Sequence, residues 1–309
     1  MITIVIKENG KNKLLQVEEA KVFKDNTKAV KYFDKKIEES KLIKKLRILS
    51  LGAGVQSTTL ALMIEHGEIP MVDCAIFADT QSEPKKVYEH LDWLKSKLSY
   101  PLHIVTKGNL RKDVIDAVDG KYKFMSIPLY TMNADTKKKG LLMRQCTADY
   151  KILPINKKVR ELLGYKKRQR VKKDTEVEMI MGISLDEIVR TRVNRLKYIK
   201  NVYPLVEAQI RREDCLKWME KNNYPRPPRS ACTFCPFHSN SEWREIRKNK
   251  EEWNDVVELD KKVRHGTKRN TDLVYLHKDR VPIDEANLDP KDDQLDLFND
   301  ICDEGMCGV

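Results

Sequence analysis

The chain has 309 residues, 40% hydrophobic and 34% charged, with 59 Lys and Arg against 47 Asp and Glu, a formal net charge of +12. This is the balance of a soluble globular chain long enough to bury a core in one large or two modest domains. No apolar run approaches the ~18 residues of a membrane span. The opening residues MITIVIKENGKNK gain charge too quickly for a secretory signal, so the expected location is the cytoplasm.

In chain order, residues 2–6 (ITIVI) read as a strand, ENGKN as a hairpin turn and KLLQVEEAKVF as its partner. Residues 28–45 read as a charged helix, and 1–45 together as an N-terminal extension. From residue 46 the pattern alternates. LRILSL is a strand, and 57–66 a helix with Ser57 as a plausible cap and Gly67 as its stop. VDCAIFAD is a second strand. Residues 84–98 form a helix opened by Pro84, with Val87, Leu91, Leu94 and Leu98 as its apolar stripe. LHIVT is a third strand. This order predicts an α/β fold: an open, mostly parallel sheet with helices on both faces. Residues 107–145 are irregular and lysine-rich. EVEMIMGIS, 176–184, is a further strand, and 207–222 and 241–264 are helices flanking the stiff loop YPRPPRSACTFCPF. The end, DDQLDLFNDICDEGMCGV, reads as a flexible tail. The expected domains are 1–45, 46–237 and a C-terminal helical region with its tail, 238–309.

Open parallel sheets bind ligands beyond the C-terminal ends of their strands. SLGAGVQST, from Ser50, occupies such a place. Gly52 and Gly54 permit positive φ and close backbone approach, the N–H groups opening the next helix favour an anion, and Ser50, Gln56, Ser57 and Thr58 add donors. The turn is either a phosphate cradle or a structural turn; it is neither a Walker A loop nor G-x-G-x-x-G. Asp79 ends the second strand and suits Mg²⁺ or a ribose, or caps the next helix, although Ser82 or Glu83 would cap it better.

Seven cysteines, without an export signal, argue against a disulfide framework. Cys74 and Cys215 read as core thiols. Cys232 and Cys235 form a lone C-x-x-C, open to three readings: metal ligands, a redox dithiol, or chance. His238 beside it reads as an exposed loop histidine, with a supporting role at the C-x-x-C as the alternative. The cations cluster at 137–140, 164–174 and 189–200, which suits a polyanion such as tRNA or DNA, or simply a solvated surface.

SLGAGVQST, FADTQSEPKKVYEHLDWL, RQCTADYKILPI, MGISLDEIVRTR and SACTFCPF occur here in the order that resembles the phosphoadenosine phosphosulfate (PAPS) reductase family and the wider adenine nucleotide α-hydrolase, or PP-loop, superfamily. The resemblance runs from about 46 to 237. It implies a nucleotide site of Ser50, Gly52, Gly54, Gln56, Ser57, Asp79, Thr80 and Gly182, with Arg192 on the nucleotide or its sulfate end. Gln56 stands where ATP pyrophosphatases of the superfamily usually carry Asp. The resemblance also implies a [4Fe–4S] cluster on Cys146, Cys232 and Cys235, with Thr147 where a fourth cysteine would sit. Cys307, beside Gly308, echoes a tail nucleophile, although Glu304 is three residues away rather than adjacent. The implied activity is sulfur transfer or reduction on an adenylyl nucleotide (adenylylsulfate or PAPS), with a thiol reductant or sulfur donor as partner. The alternatives are ATP- and Mg²⁺-dependent thiolation of tRNA or DNA, and a non-catalytic binding protein with a structural metal.

Overall fold

The computed structural model describes residues 2–8, 11–17, 45–122, 125–267 and 272–290. The chain divides into two compact units, Met1–Lys44 and Lys45–Val309. In the first, β1 (Ile2–Glu8) and β2 (Lys11–Val17) pair antiparallel with Glu8 opposite Lys11, as the ENGKN turn predicts. Most of the helix expected over 28–45 lies outside the described residues, and Lys45 already belongs to a strand.

In the second unit the elements run β3 (Lys45–Leu51), α1 (Val55–Glu65), β4 (Cys74–Asp79), α2 (Lys85–Lys95), β5 (Leu102–Thr106) and α3 (Leu110–Val118). Two short strands, β6 (Tyr130–Met132) and β7 (Lys139–Leu141), precede a π-helical turn at Thr147–Ile152 that runs into α4 (Leu153–Leu162). Then come β8 (Glu176–Met181), a 3₁₀ turn at Leu185–Arg190, β9 (Ile199–Val202), α5 (Pro204–Glu207), α6 (Arg212–Lys221), α7 (Asn240–Lys248), α8 (Lys250–Val263) and β10 (Leu273–Tyr275). The single helix expected over 241–264 is two. Asn249 leaves the helical region at φ −92°, ψ 103°, and its side chain caps α8 by accepting from the N–H groups of Glu251 and Glu252.

Five strands form one parallel sheet in the order β5-β4-β3-β8-β9. The first strand is central, and the chain adds strands first on one side of it and then on the other. Alternate residues bury on opposite faces, which is why the strands read as apolar runs. Leu49, Leu51, Ala75, Phe77 and Ile180 pack with α1, α2 and α6. Ile48, Ile76, Val177, Met179 and Met181 pack with Val159 of α4. This is the doubly wound α/β arrangement that the sequence predicts. A third core joins α3, α7 and α8 to the antiparallel sheet β10-β6-β7, around Trp243, Phe234 and Tyr150. Among the described residues no helix is long and apolar enough to cross a membrane.

Asp260 holds this third core together. It is fully buried and accepts from the N–H groups of Leu276 (2.9 Å) and Ile283 (3.0 Å) and from the Arg264 guanidinium. Burial lifts its carboxyl above the usual carboxylate range, against the pull of those donors. Asp260→Ala strands two buried N–H groups and a cation. Denaturant unfolding of this variant is expected to show a loss of about 3–5 kcal/mol, with a smaller loss in Asp260→Asn.

Candidate functional site

The order of the sheet reverses between β3 and β8, so the crevice of this fold opens beyond their C-terminal ends. The turn 52–54 leaves β3 there. Positive φ falls on neither Gly52 nor Gly54 but on Ala53, at 58°, a buried alanine in the left-handed region. Such a conformation costs a non-glycine residue about 1–2 kcal/mol. Gly54 lies at φ −90°, ψ −177°, caps α1 without a side chain, and has nothing within 4 Å of where a Cβ would stand. The space against its backbone is open.

The helix begins two residues before the expected start, at Val55, so Ser57 is not its cap. Ser57 Oγ instead donates back to the Gly54 carbonyl, at 3.2 Å. Thr58 does not face a ligand either: it is fully buried, with Oγ1 3.0 Å from His90 Nε2. Thr59 donates to Val55 O. The hydroxyl run therefore solves a packing problem, because α1 is buried on all sides and each hydroxyl must find an internal partner. What remains for an anion is the set of first-turn N–H groups of Val55, Gln56 and Ser57, which no intrahelical carbonyl can reach.

The second wall is the segment after β8. A Cβ on Gly182 would stand 2.7 Å from Ser57 Cα and 2.8 Å from Ser57 N, so only glycine lets the two loops meet backbone to backbone. Gln56 bridges the same gap. Its Nε2 donates to Ser184 Oγ at 3.4 Å, and its Oε1 accepts from Arg212 Nη1 at 3.2 Å. Arg212, at the start of α6, carries no sequence motif and becomes visible only through this contact. Arg192 lies further along the loop and is exposed, and its backbone is pinned from both sides by the Tyr203 hydroxyl, at 2.8 Å to its N and to its O.

Ser50 is buried at the end of β3, beside Ile76 of β4 and Met181 of β8. Asp79 ends β4. Its Oδ1 accepts from Gln81 N (2.7 Å) and the Tyr88 hydroxyl (2.9 Å), and this bond, with burial, pushes the Tyr88 phenol well up. Neither Asp79, Ser82 nor Glu83 caps α2, whose flanking residue is Pro84 without a side-chain cap.

Thr80 leads to the cysteines. Its Oγ1 is 3.2 Å from Cys232 Sγ, and Thr233 N donates to Ser82 O at 2.9 Å, which docks the C-x-x-C turn on the end of β4. Cys146 stands at the head of the π-helical turn, anchored by its N–H to Ser126 O at 2.8 Å. Cys146, Cys232 and Cys235 line one cavity with Thr80 and Lys151, so segments 86 residues apart meet there. The donor set, three thiols, fits an iron–sulfur cluster in kind. The cavity itself is about 20 Å³, space for one water-sized atom, and among the described residues no group of three or more His, Cys, Asp and Glu converges as ligands of a metal ion would.

Two buried residues near the C-x-x-C turn have roles that were not legible in the sequence. Glu83 is buried and meets Lys151 Nζ at 3.5 Å and Ser230 Oγ at 3.3 Å. His238 is buried rather than exposed. Its Nε2 lies 2.9 Å from Cys232 O and its ring sits edge-on to Trp243, and burial pushes its pKa down to about 3. Its place next to C-x-x-C was the one sequence signal. The thiols of Cys74 and Cys215 are core groups, pushed up by burial to about 11 and about 12. Cys302, Glu304 and Cys307 lie outside the described residues.

The two glycines predict opposite outcomes. Gly182→Ala must push Ser57 backbone away and is expected to cost about 1–3 kcal/mol in denaturant unfolding. Gly54→Ala meets nothing and stays within about 1 kcal/mol of the parent. His90 predicts a pH dependence. Burial lowers its pKa from 6.5 to about 4, so the folded chain keeps it neutral where the unfolded chain binds a proton. Stability is therefore complete above pH 6.5 and falls as pH drops towards 4, by roughly 2–3 kcal/mol at most. Unfolding followed from pH 7 to 4.5 should lose part of this slope in His90→Gln.

No family model and no curated protein matches the chain. Among solved structures it is similar to a phosphoadenylyl-sulfate (PAPS) reductase from Candida auris in a phosphate complex, at 13% identity and a TM-score of 0.36, over 59% of this chain and 74% of that one.

Proposed function

We propose that the chain is an enzyme that holds an adenine nucleotide by its phosphates in the 52–57 turn and carries out sulfur transfer or reduction beside the cysteines. One observation carries this reading. The uncapped start of α1 and the cavity of Cys146, Cys232 and Cys235 lie beyond the C-terminal ends of neighbouring strands, β3 and β4, and Thr80 bonds directly to Cys232.

In this reading the N–H groups of Val55, Gln56 and Ser57 take the phosphates, and open space at Gly54 lets them approach the backbone. Gly182 keeps the opposite wall in place. Ser50 and Gln56 support the turn from within, and Asp79 and Thr80 border it. The exposed guanidinium of Arg192 suits the oxyanion end. The resemblance adds a [4Fe–4S] cluster on Cys146, Cys232 and Cys235, but their cavity of about 20 Å³ has no room for one as these thiols stand, and no step of the reaction is routed through it. The resemblance gives Cys307 the nucleophile's role: its thiolate attacks the sulfur of adenylylsulfate or PAPS, a sulfur–sulfur bond forms, the sulfur–oxygen bond to the nucleotide breaks, and AMP or its 3′-phosphate leaves. A thiol reductant then releases sulfite.

A second reading, ATP-dependent thiolation of tRNA or DNA, has its own observation. The loop after β8 exposes Arg192, Arg195 and Lys197 together with Ile188, Val189 and Val193, the last at 95%. A cationic loop beside the crevice suits a polyanion. In that reaction Asp79 would hold Mg²⁺, since its Oδ2 makes no hydrogen bond within the described residues.

Anaerobically purified protein, assayed for iron and sulfide and then incubated with adenylylsulfate, PAPS or ATP, tests both readings. Sulfite release with a thiol is the expected result, reduced more than tenfold in Gly54→Ala and in Cys146→Ala. Pyrophosphate formed only with tRNA or DNA would transfer the assignment to the second reading. Nucleotide binding without any product would leave a non-catalytic binding protein.

A further inference from the structure

A second, larger cavity of about 530 Å³ opens on the other side of the C-x-x-C turn, between the 81–83 loop, the start of α3 and the start of α8. Its volume is that of a small-molecule site. Its lining includes Glu83, whose carboxylate is taken up by Lys151 and Ser230, and the other charges fall on two walls. The first turn of α3 presents Arg111 and Lys112, and the first turns of α8 present Glu252 and Asp255. Both walls are helix N-termini, so the dipole adds to the positive α3 wall and offsets part of the negative charge on the α8 wall. Both cations already have carboxylate partners in the fold. Arg111 pairs with Glu258, which is 72% exposed, and its Nη2 reaches Asp255 O only at 3.4 Å. Lys112 pairs with Asp116 but is 70% exposed. Glu252 accepts one backbone N–H, from Lys85, through Oε1. Ile115, on α3, and Phe234 add apolar surface to the lining.

We propose that this cavity binds a free α-amino acid with an apolar or thioether side chain. Its carboxylate faces Arg111 and Lys112, its ammonium faces Glu252 and Asp255, and its side chain lies against Ile115 and Phe234. A simple anion would gain at one wall and be repelled at the other, and a simple cation likewise. Only a ligand carrying both charges a few bonds apart is favoured at both. Phe234 also lines the cysteine cavity, so the two cavities share this residue. The inference rests on this cavity alone and does not depend on the nucleotide reading.

The test is calorimetric titration of the full chain with L-methionine, 4-(methylthio)butanoate, 3-(methylthio)propylamine and sodium sulfate. These probes separate the zwitterion from each of its halves and from a plain anion. L-Methionine should bind at least tenfold more tightly than the other three. Asp255→Asn, a surface change, should weaken it about tenfold while leaving the unfolding midpoint and ATP binding unchanged; Lys112→Gln, which also removes one of the two lysines on buried Asp116, should weaken it about tenfold while leaving ATP binding unchanged. Gly54→Ala should leave methionine binding intact. Absence of methionine binding, equal binding of either half-ligand or of sulfate, or full affinity in both variants would overturn the proposal.

Discussion

The architecture of the crevice depends on one contact, the backbone approach of Gly182 to Ser57. The strands that carry these loops, β3 and β8, are neighbours in the sheet, but nothing in strand pairing requires the loops beyond them to touch. They touch because position 182 has no side chain; a Cβ there would lie 2.7 Å from a main-chain carbon. With the gap closed, Gln56 reaches both Ser184 and Arg212, and the start of α1 is clamped between β8 and α6. The N–H groups of that first turn are thereby fixed in direction, which is the condition for a helix start to act as a preorganised donor set rather than a frayed end.

The other side of the crevice is fixed differently. The 79–84 segment has no glycine. It turns through Gln81 at a φ of 54°, and it is stabilised by partners on all sides: Tyr88 on Asp79, Thr233 on Ser82, Lys151 and Ser230 on Glu83. The cysteine turn is thus part of the same fabric as the end of β4. Cys232 belongs at once to the third core and, through Thr80, to the C-terminal end of β4. Cys232 packs in one core with Trp243 and Ile246 of α7 and Val256 of α8.

Periodicity and turn residues made the sheet legible. LHIVT at 102–106 coincides with β5, and the strand–helix alternation carries the doubly wound order. The errors share a cause. Ser57 resembles a helix cap, Gly52 and Gly54 resemble the positive-φ positions, and 241–264 resembles one helix, because local propensity favours each. Tertiary packing decided otherwise: Ala53 is forced left-handed inside the core, and Asn249 is recruited as a cap in mid-sequence. Glu83, Lys151 and Arg212 were illegible for a different reason. Each acts through a partner at least 60 residues away, and a lone charged residue in a charged chain carries no local mark. His238 shows the limit from the other side. Its neighbourhood was evident in the sequence, but whether a loop histidine is buried depends on Trp243 and on the turn it closes.

The hydroxyls around the glycine turn bear on how such a loop recognises its ligand. A run of Ser and Thr after a strand invites the reading that each side chain is a ligand donor. Here Ser57, Thr58 and Thr59 all bond inward, to Gly54 O, His90 and Val55 O. Their service is to let α1 be polar in sequence and buried in space. That leaves only main-chain donors at the turn, and a main-chain donor set reads charge and shape but cannot tell one phosphate ester from another. Under the proposed nucleotide reading, discrimination would fall to the walls, where Arg192 on one side and Asp79 on the other differ in charge. The turn depends on a glycine contact that a single methyl group would break, whereas Arg192 is exposed and can be exchanged without disturbing the sheet.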